Sequence, residues 1–223
     1  HNDNNEKLRA LADIVQSLPF KLEYSSYIRI DLMHSQPEQY QLLKDGGLKG
    51  AFFGIESLNH RSLKSIGKGM HPDKIINELY KFQEQLPHVG TEGGFICGLP
   101  FETKETVTEW VEKILDKNFP LDSFQIEPLF INRDPMKLYR SEFEQNTNNY
   151  YTFPNNSYGD WHNGNFDKKW ATDFCNNIYK ERRSYDRIRL GGWMYPLVYN
   201  FGIREDYTKV PRQRYKEKIL NGL

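Results

Sequence analysis

The stretch Ala51-Phe52-Phe53-Gly54-Ile55-Glu56-Ser57 constrains this chain more than any other. Its first four residues are apolar or small, without the polar alternation of a half-solvated strand. A strand of that kind is buried on both faces, as in a parallel sheet covered by helices. A carboxylate and a hydroxyl follow at once, and α/β sheets keep their ligand sites at the carboxyl ends of their strands. Gly93 through Pro100 repeats the pattern and is followed by Glu102 and Thr103. Two such strand ends, each with glycine, predict one small-molecule site shared between adjacent strands.

The flanking text supplies the helices between the strands. Leu8, Leu11, Ala12 and Val15 make one apolar helical face, which Pro19 stops. Tyr27 to Leu32 reads as a strand with polar residues at alternate positions. Ser35 and Glu38 read as a capping box, with Pro37 in the first turn and Gly46-Gly47 at the end. A strand over Gly50 to Ile55 leads to a short helix near Asn59 to Ile66, then to one opened by Pro72 and carrying Ile75, Ile76, Leu79 and Tyr80. A strand over Gly93 to Cys97 precedes an amphipathic helix with Val107, Trp110, Val111, Ile114 and Leu115, and Ser123 to Ile131 reads as a further strand. This alternation predicts an α/β fold with parallel strands, the βα units of a barrel or a doubly wound sheet.

Character changes near residue 140. Asparagines mixed with Tyr150, Tyr151, Phe153, Tyr158 and Trp161 predict a long loop or an ordered cap over 143–165. A helix should follow, with Trp170, Phe174, Ile178 and Arg182 on one face. The expected division is 1–140, a partial barrel, and 141–223, a mainly helical extension.

Composition excludes several classes. The 30 basic and 30 acidic residues balance, so there is no global pull toward nucleic acid or membrane. Residues 165–223 carry 13 Lys and Arg against 7 Asp and Glu, about +6, so the body carries about −6. That basic tail and the aromatic segment read either as a binding surface for a polar macromolecule or as a solvated helix face. No run of 18 apolar residues spans a membrane, and the N-terminus lacks a signal-peptide pattern. A cytoplasmic protein is expected. The two cysteines, Cys97 and Cys175, are too far apart in sequence for metal-ligand spacing. His34, His60, His71 and His88 are scattered in loops, and no metal is assigned to them.

In order and spacing, three blocks resemble one family. Arg29-Ile30-Asp31, then Phe53-Gly54-Ile55-Glu56-Ser57 with Leu63 and Lys68, then Phe95 through Thr103, resemble the later strands of a radical S-adenosylmethionine (radical SAM) barrel. The similarity covers roughly residues 1–136 and is to the branch that often carries a cobalamin-binding domain; cobalamin use itself is not readable here. The resemblance implies S-adenosylmethionine as cosubstrate and a 4Fe–4S cluster in the parent protein. The family's C-x-x-x-C-x-x-C motif is absent, so neither group is expected to be held stably by this chain alone. A missing N-terminal segment or partner chain carrying the cluster is the expected complement, and a truncated, proteolysed or split parent is the expected origin.

By the same resemblance, Glu56 and Ser57 contact the ribose or methionyl part of the cosubstrate, and Lys68 reaches its carboxylate; read from the residues alone, Glu56 caps the next helix or pairs with a lysine, and Lys68 is a solvated lysine before Gly69. Arg29 and Asp31 share one side of their strand: inside a barrel they meet a polar ligand, and against helices they form an ion pair only. Gly94 and Gly98 let a flat ring approach the backbone, and Leu99-Pro100 adds a stiff apolar turn, the implied adenine edge. The same glycines would also serve a β-bulge and helix entry. Glu102 and Thr103 are explained by capping alone. Gln125 and Glu127 share one face of the last strand. Two alternatives stay open: a non-catalytic binding module or split-gene subunit, and an ordinary barrel hydrolase or lyase with Glu56 and Asp31 as acid and base. An exposed edge on the Tyr27 to Leu32 strand predicts self-association.

Overall fold

The computed structural model describes residues 2–116, 118–131, 141–154 and 159–181. In chain order these form α1 (Asn5–Ser17), β1 (Tyr24–Tyr27), α2 (Ile30–Ser35), α3 (Gln39–Asp45), β2 (Leu48–Glu56), α4 (His60–Ser65), α5 (Pro72–Gln85), β3 (Gly90–Cys97), α6 (Lys104–Leu115), β4 (Ser123–Pro128), α7 (Glu142–Gln145) and α8 (Lys168–Glu181). The strands lie side by side in sequence order, and all three pairings are parallel. The chain is therefore α/β, built from consecutive strand–helix units as the alternation predicts.

Local signals start the helices where they were read. Pro72 occupies the first turn of α5, and the His71 side chain caps it. Thr103 caps α6 in a reciprocal box with Thr106. Each helix buries one stripe: Ile75, Leu79 and Phe82 on α5, and Val107, Trp110, Val111 and Ile114 on α6. Phe53 meets Phe82 edge-on at 5.0 Å, and Phe95 stacks on Trp110 at 5.5 Å.

That apolar face carries Ala51, Phe53, Ile55, Phe95, Cys97, Phe124 and Ile126. The register sets Phe52, Glu92 and Ser123 side by side on the opposite face, with Gly54, Gly94 and Gln125 one step further along. The expectation of strands buried on both faces holds in the centre of the sheet: every residue of β3 except Ile96 is buried, and Phe52 and Glu92 are buried on the second face. On the second face of β2, Gly50, Phe52 and Gly54 follow one another, which hides the period of two from a reading by polarity; β3 sets Gly90, Glu92 and Gly94 beside them.

Two expectations are corrected. The strand read over Tyr27 to Leu32 ends at Tyr27, where Ile28 donates the last ladder bond to the Phe52 carbonyl. Ile30 to Ser35 is a helix, because Ile30 and Met33, three apart, both turn into the core. The Ser35–Glu38 capping box does not form. Ser35 bonds back to Leu32 inside α2, and the Glu38 carboxylate reaches Asn5 and Arg9 of α1 instead.

The described residues beyond 140 pack onto the sheet. Tyr151, Trp161, Phe166, Ala171, Cys175 and Ile178 join the same buried cluster as the strands. Among the described residues no helix is long and apolar enough to cross a membrane. Asn132 to Pro135 and Arg182 lie outside the described residues.

Candidate functional site

The carboxyl end of β2 gathers the most polar chemistry. Glu56 takes a left-handed backbone, φ +72°, which a residue with a Cβ adopts only under constraint. Its carboxylate is 2.9 Å from Lys68 Nζ, and the same ammonium donates to the Gly54 carbonyl. Lys68 thus closes a loop over the strand end and holds Glu56 half-buried rather than extending into solvent.

On the neighbouring strand end, Arg29 and Asp31 pair with each other at 2.6 Å, and both side chains are well exposed. They sit after β1, at the start of α2, so the expectation that one strand face carries both is corrected. Burial opposes ionisation of Asp31, yet hydrogen bonding and the charge of Arg29 hold its carboxyl below the usual range. Asn2 anchors this corner. Its fully buried amide donates to the Arg29 carbonyl at 2.9 Å and accepts from the Arg29 amide at 2.8 Å.

At the end of β3 the central group is Glu102, which is completely buried. Its carboxylate accepts from the amides of Gly98 (2.8 Å) and Leu99 (3.0 Å), from Ser57 Oγ (2.8 Å) and from Trp110 Nε1 (3.2 Å). Burial pushes the carboxyl up to about 7 against these four donors. Ser57, expected to face a ligand, is buried, and its hydroxyl is committed to Glu102 and to the Asn59 amide. The glycines are filled from within: a Cβ at Gly94 would meet the Phe52 ring at 2.6 Å, and at Gly98 (φ +111°) it would collide with the Trp161 indole. The protein's own aromatic rings thus lie against Gly94 and Gly98. Leu99 and Pro100 are buried beneath that turn. Gln125 lies half-buried on the second sheet face, beside Gly94.

Several functional-looking residues escaped sequence reasoning. Glu92 is a fully buried carboxylate on the second face, in register with Ser123; a charged residue inside a glycine-rich buried strand was the available signal. Nothing in the local sequence placed Trp161 over Gly98. Cys97 and Cys175 also come together across β3 and α8, where hydrogen bonding between the thiols, with burial, pushes the Cys97 thiol up.

The polar ends of β1 and β2 fit a ligand that carries hydroxyls, an ammonium and a carboxylate. The two buried cysteines do not fit an iron–sulfur cluster, which takes closely grouped thiolates. Among the described residues no group of three or more His, Cys, Asp or Glu is arranged for a metal ion.

No family model matches the chain. An uncharacterized methyltransferase of Pyrococcus horikoshii is 40% identical over 65 residues, 29% of this chain and 14% of that protein. The ribosomal protein uS12 methylthiotransferase RimO of Protochlamydia amoebophila is 26% identical over 128 residues, 54% of this chain and 26% of that protein. The chain therefore spans about a quarter or less of these relatives. Among solved structures, coproporphyrinogen III oxidase (HemN) of Escherichia coli, a radical SAM enzyme, matches 67% of this chain and 38% of its own at 14% identity, TM-score 0.48. The radical SAM methyltransferase TsrM of Kitasatospora setae matches 55% of this chain and 24% of its own at 17% identity, TM-score 0.46. At these scores the structural likenesses carry no functional weight.

Proposed function

We propose that this chain is the later-strand portion of a radical SAM enzyme that cleaves S-adenosylmethionine to a 5′-deoxyadenosyl radical and abstracts hydrogen from a substrate. One observation carries the reading. The blocks Arg29-x-Asp31, Gly54-Ile55-Glu56-Ser57 and Gly98-Leu99-Pro100-x-Glu102-Thr103 lie at the carboxyl ends of three consecutive parallel strands. In α/β sheets that edge is where ligands bind.

In this reading the chain's own residues bind and orient the cosubstrate. The Glu56–Lys68 pair offers a carboxylate for ribose hydroxyls or an ammonium, and a cation for a carboxylate. Arg29 and Asp31 supply a second polar arm next to it. The thiolates come from outside these 223 residues, from a segment or partner chain, and the chain alone does not turn over. No observation favours acid–base hydrolysis: Glu56 and Asp31 are each already paired with a cation.

Calorimetry with S-adenosylmethionine tests the site. Binding to this chain is expected to be weak, and Glu56→Ala should weaken it further by roughly the worth of one charged hydrogen bond, about 1.5–3 kcal/mol. Tight binding that survives Glu56→Ala overturns the placement. Anaerobic reconstitution with iron and sulfide tests the class. A redox-active cluster should form only when a C-x-x-x-C-x-x-C segment is supplied, and a cluster on this chain alone refutes the reading.

A further inference from the structure

The polar backbone groups of the Gly98–Pro100 turn are all engaged. Gly98 and Leu99 amides donate to Glu102, the Leu99 carbonyl accepts from the Glu102 amide at 3.3 Å, and the Pro100 carbonyl accepts from Ser62 Oγ at 2.7 Å. The remaining group, the Gly98 carbonyl, is held by Tyr151 Oη at 2.8 Å, from a residue 53 positions away. Around it, the cap makes three more bonds to the same strand ends. Trp161 Nε1 donates to the Leu129 carbonyl at 2.8 Å, and Asn163 and Asn165 both donate to the Glu102 carbonyl, at 3.2 and 3.0 Å. The Trp161 indole also fills the space over Gly98. Immediately beyond the turn, Phe101 is held at φ +67°, with its ring partly exposed under the Arg61 guanidinium at 3.9 Å. A strained residue of this kind persists only where its surroundings over-determine it, and such strain gathers at ligand sites.

We propose that Tyr151, Trp161, Asn163 and Asn165 are positioning residues of the strand-end site: the cap clamps the β3 turn from outside while Glu102 holds it from within, and together they present Phe101. That the ligand is S-adenosylmethionine rests on the function proposed above; the clamp does not. Residues 141–154 and 159–165 are then part of the site rather than an appendage beside it.

Tyr151→Phe tests this by deleting one hydroxyl and keeping the ring. Tyr179→Phe is the control, the same change at the edge of β4. Amide exchange at Gly98 and Leu99 should rise roughly 5-fold in Tyr151→Phe, the size of one hydrogen bond, with Phe53 and Ile55 of β2 unchanged. The control should leave the exchange of Gly98 and Leu99 unchanged relative to that of Phe53 and Ile55, whatever it costs the fold as a whole. Asn165→Ala, on a part-buried loop, should act in the same direction. S-adenosylmethionine binding, where measurable, should weaken with Tyr151→Phe and not with Tyr179→Phe. Unchanged exchange at the turn, equal loosening of β2, or a loosened turn with undiminished binding overturns the proposal. Selective loosening in a chain that shows no S-adenosylmethionine binding sustains the clamp and counts against the functional reading instead.

Discussion

Glu102 gathers a backbone turn, a helix tryptophan and a serine from the neighbouring strand around one carboxylate. It makes a pH prediction possible. Its folded value, about 7, lies above the ordinary 4.5 because burial disfavours the charge. The folded state therefore holds this proton more tightly than the unfolded chain. The stabilisation is complete below about pH 4.5 and is lost as pH rises through about 7, on the order of 3 kcal/mol across that window. Urea denaturation between pH 4.5 and 8 should show wild-type stability falling relative to Glu102→Gln, which cannot titrate there. Parallel pH profiles would mean that the four donors hold Glu102 ionised throughout. Sequence reasoning explained Glu102 by capping because the local text offers only its position before α6. Its partners Ser57 and Trp110 lie 45 and 8 residues away, and Asn163 and Asn165 lie more than 60 away.

Among the elements, β4 shows how this sheet manages an edge. The Tyr179 hydroxyl on α8 accepts from the Ile126 amide at 2.9 Å and donates to the Ile126 carbonyl. One phenol thus satisfies both backbone groups that an adjoining strand would otherwise pair. Tyr179→Phe should cost about 1–3 kcal/mol, because it leaves those groups without their partner. Chemical denaturation measures the loss, and a loss below the lower figure would show that water replaces the hydroxyl. The variant should also self-associate more at high concentration, read by light scattering. The helix itself was legible from Trp170, Phe174 and Ile178 at helical spacing. Its role at the edge was not, because the period of a helix reports which face is apolar and not what that face covers.

At the scale of the whole molecule, the division near residue 140 follows a change in composition, while the packing runs across it. Trp161 fills the space over Gly98, and Tyr179 closes the edge of β4. A chain ending at residue 140 would open both places, together with the apolar ground now covered by Ala171, Cys175 and Ile178. Such a fragment should lose its cooperative unfolding transition and aggregate; a monomeric fragment with a sharp thermal transition would establish 1–140 as an independent domain. Sequence alone determined the parallel α/β class, because strand and helix periods alternate with their own start signals, and it located Glu56 at the carboxyl end of its strand. Only the tertiary structure decided what the strand ends contain. Ser57 faces inward to Glu102, Trp161 and Phe52 occupy the space over Gly98 and Gly94, and Arg29 and Asp31 sit at a helix start rather than along a strand. The physical reason is range. Periodicity and capping act over a few residues and leave their mark in adjacent text, whereas the filling of a space is settled by whichever distant side chain packs there, and no local pattern encodes that choice.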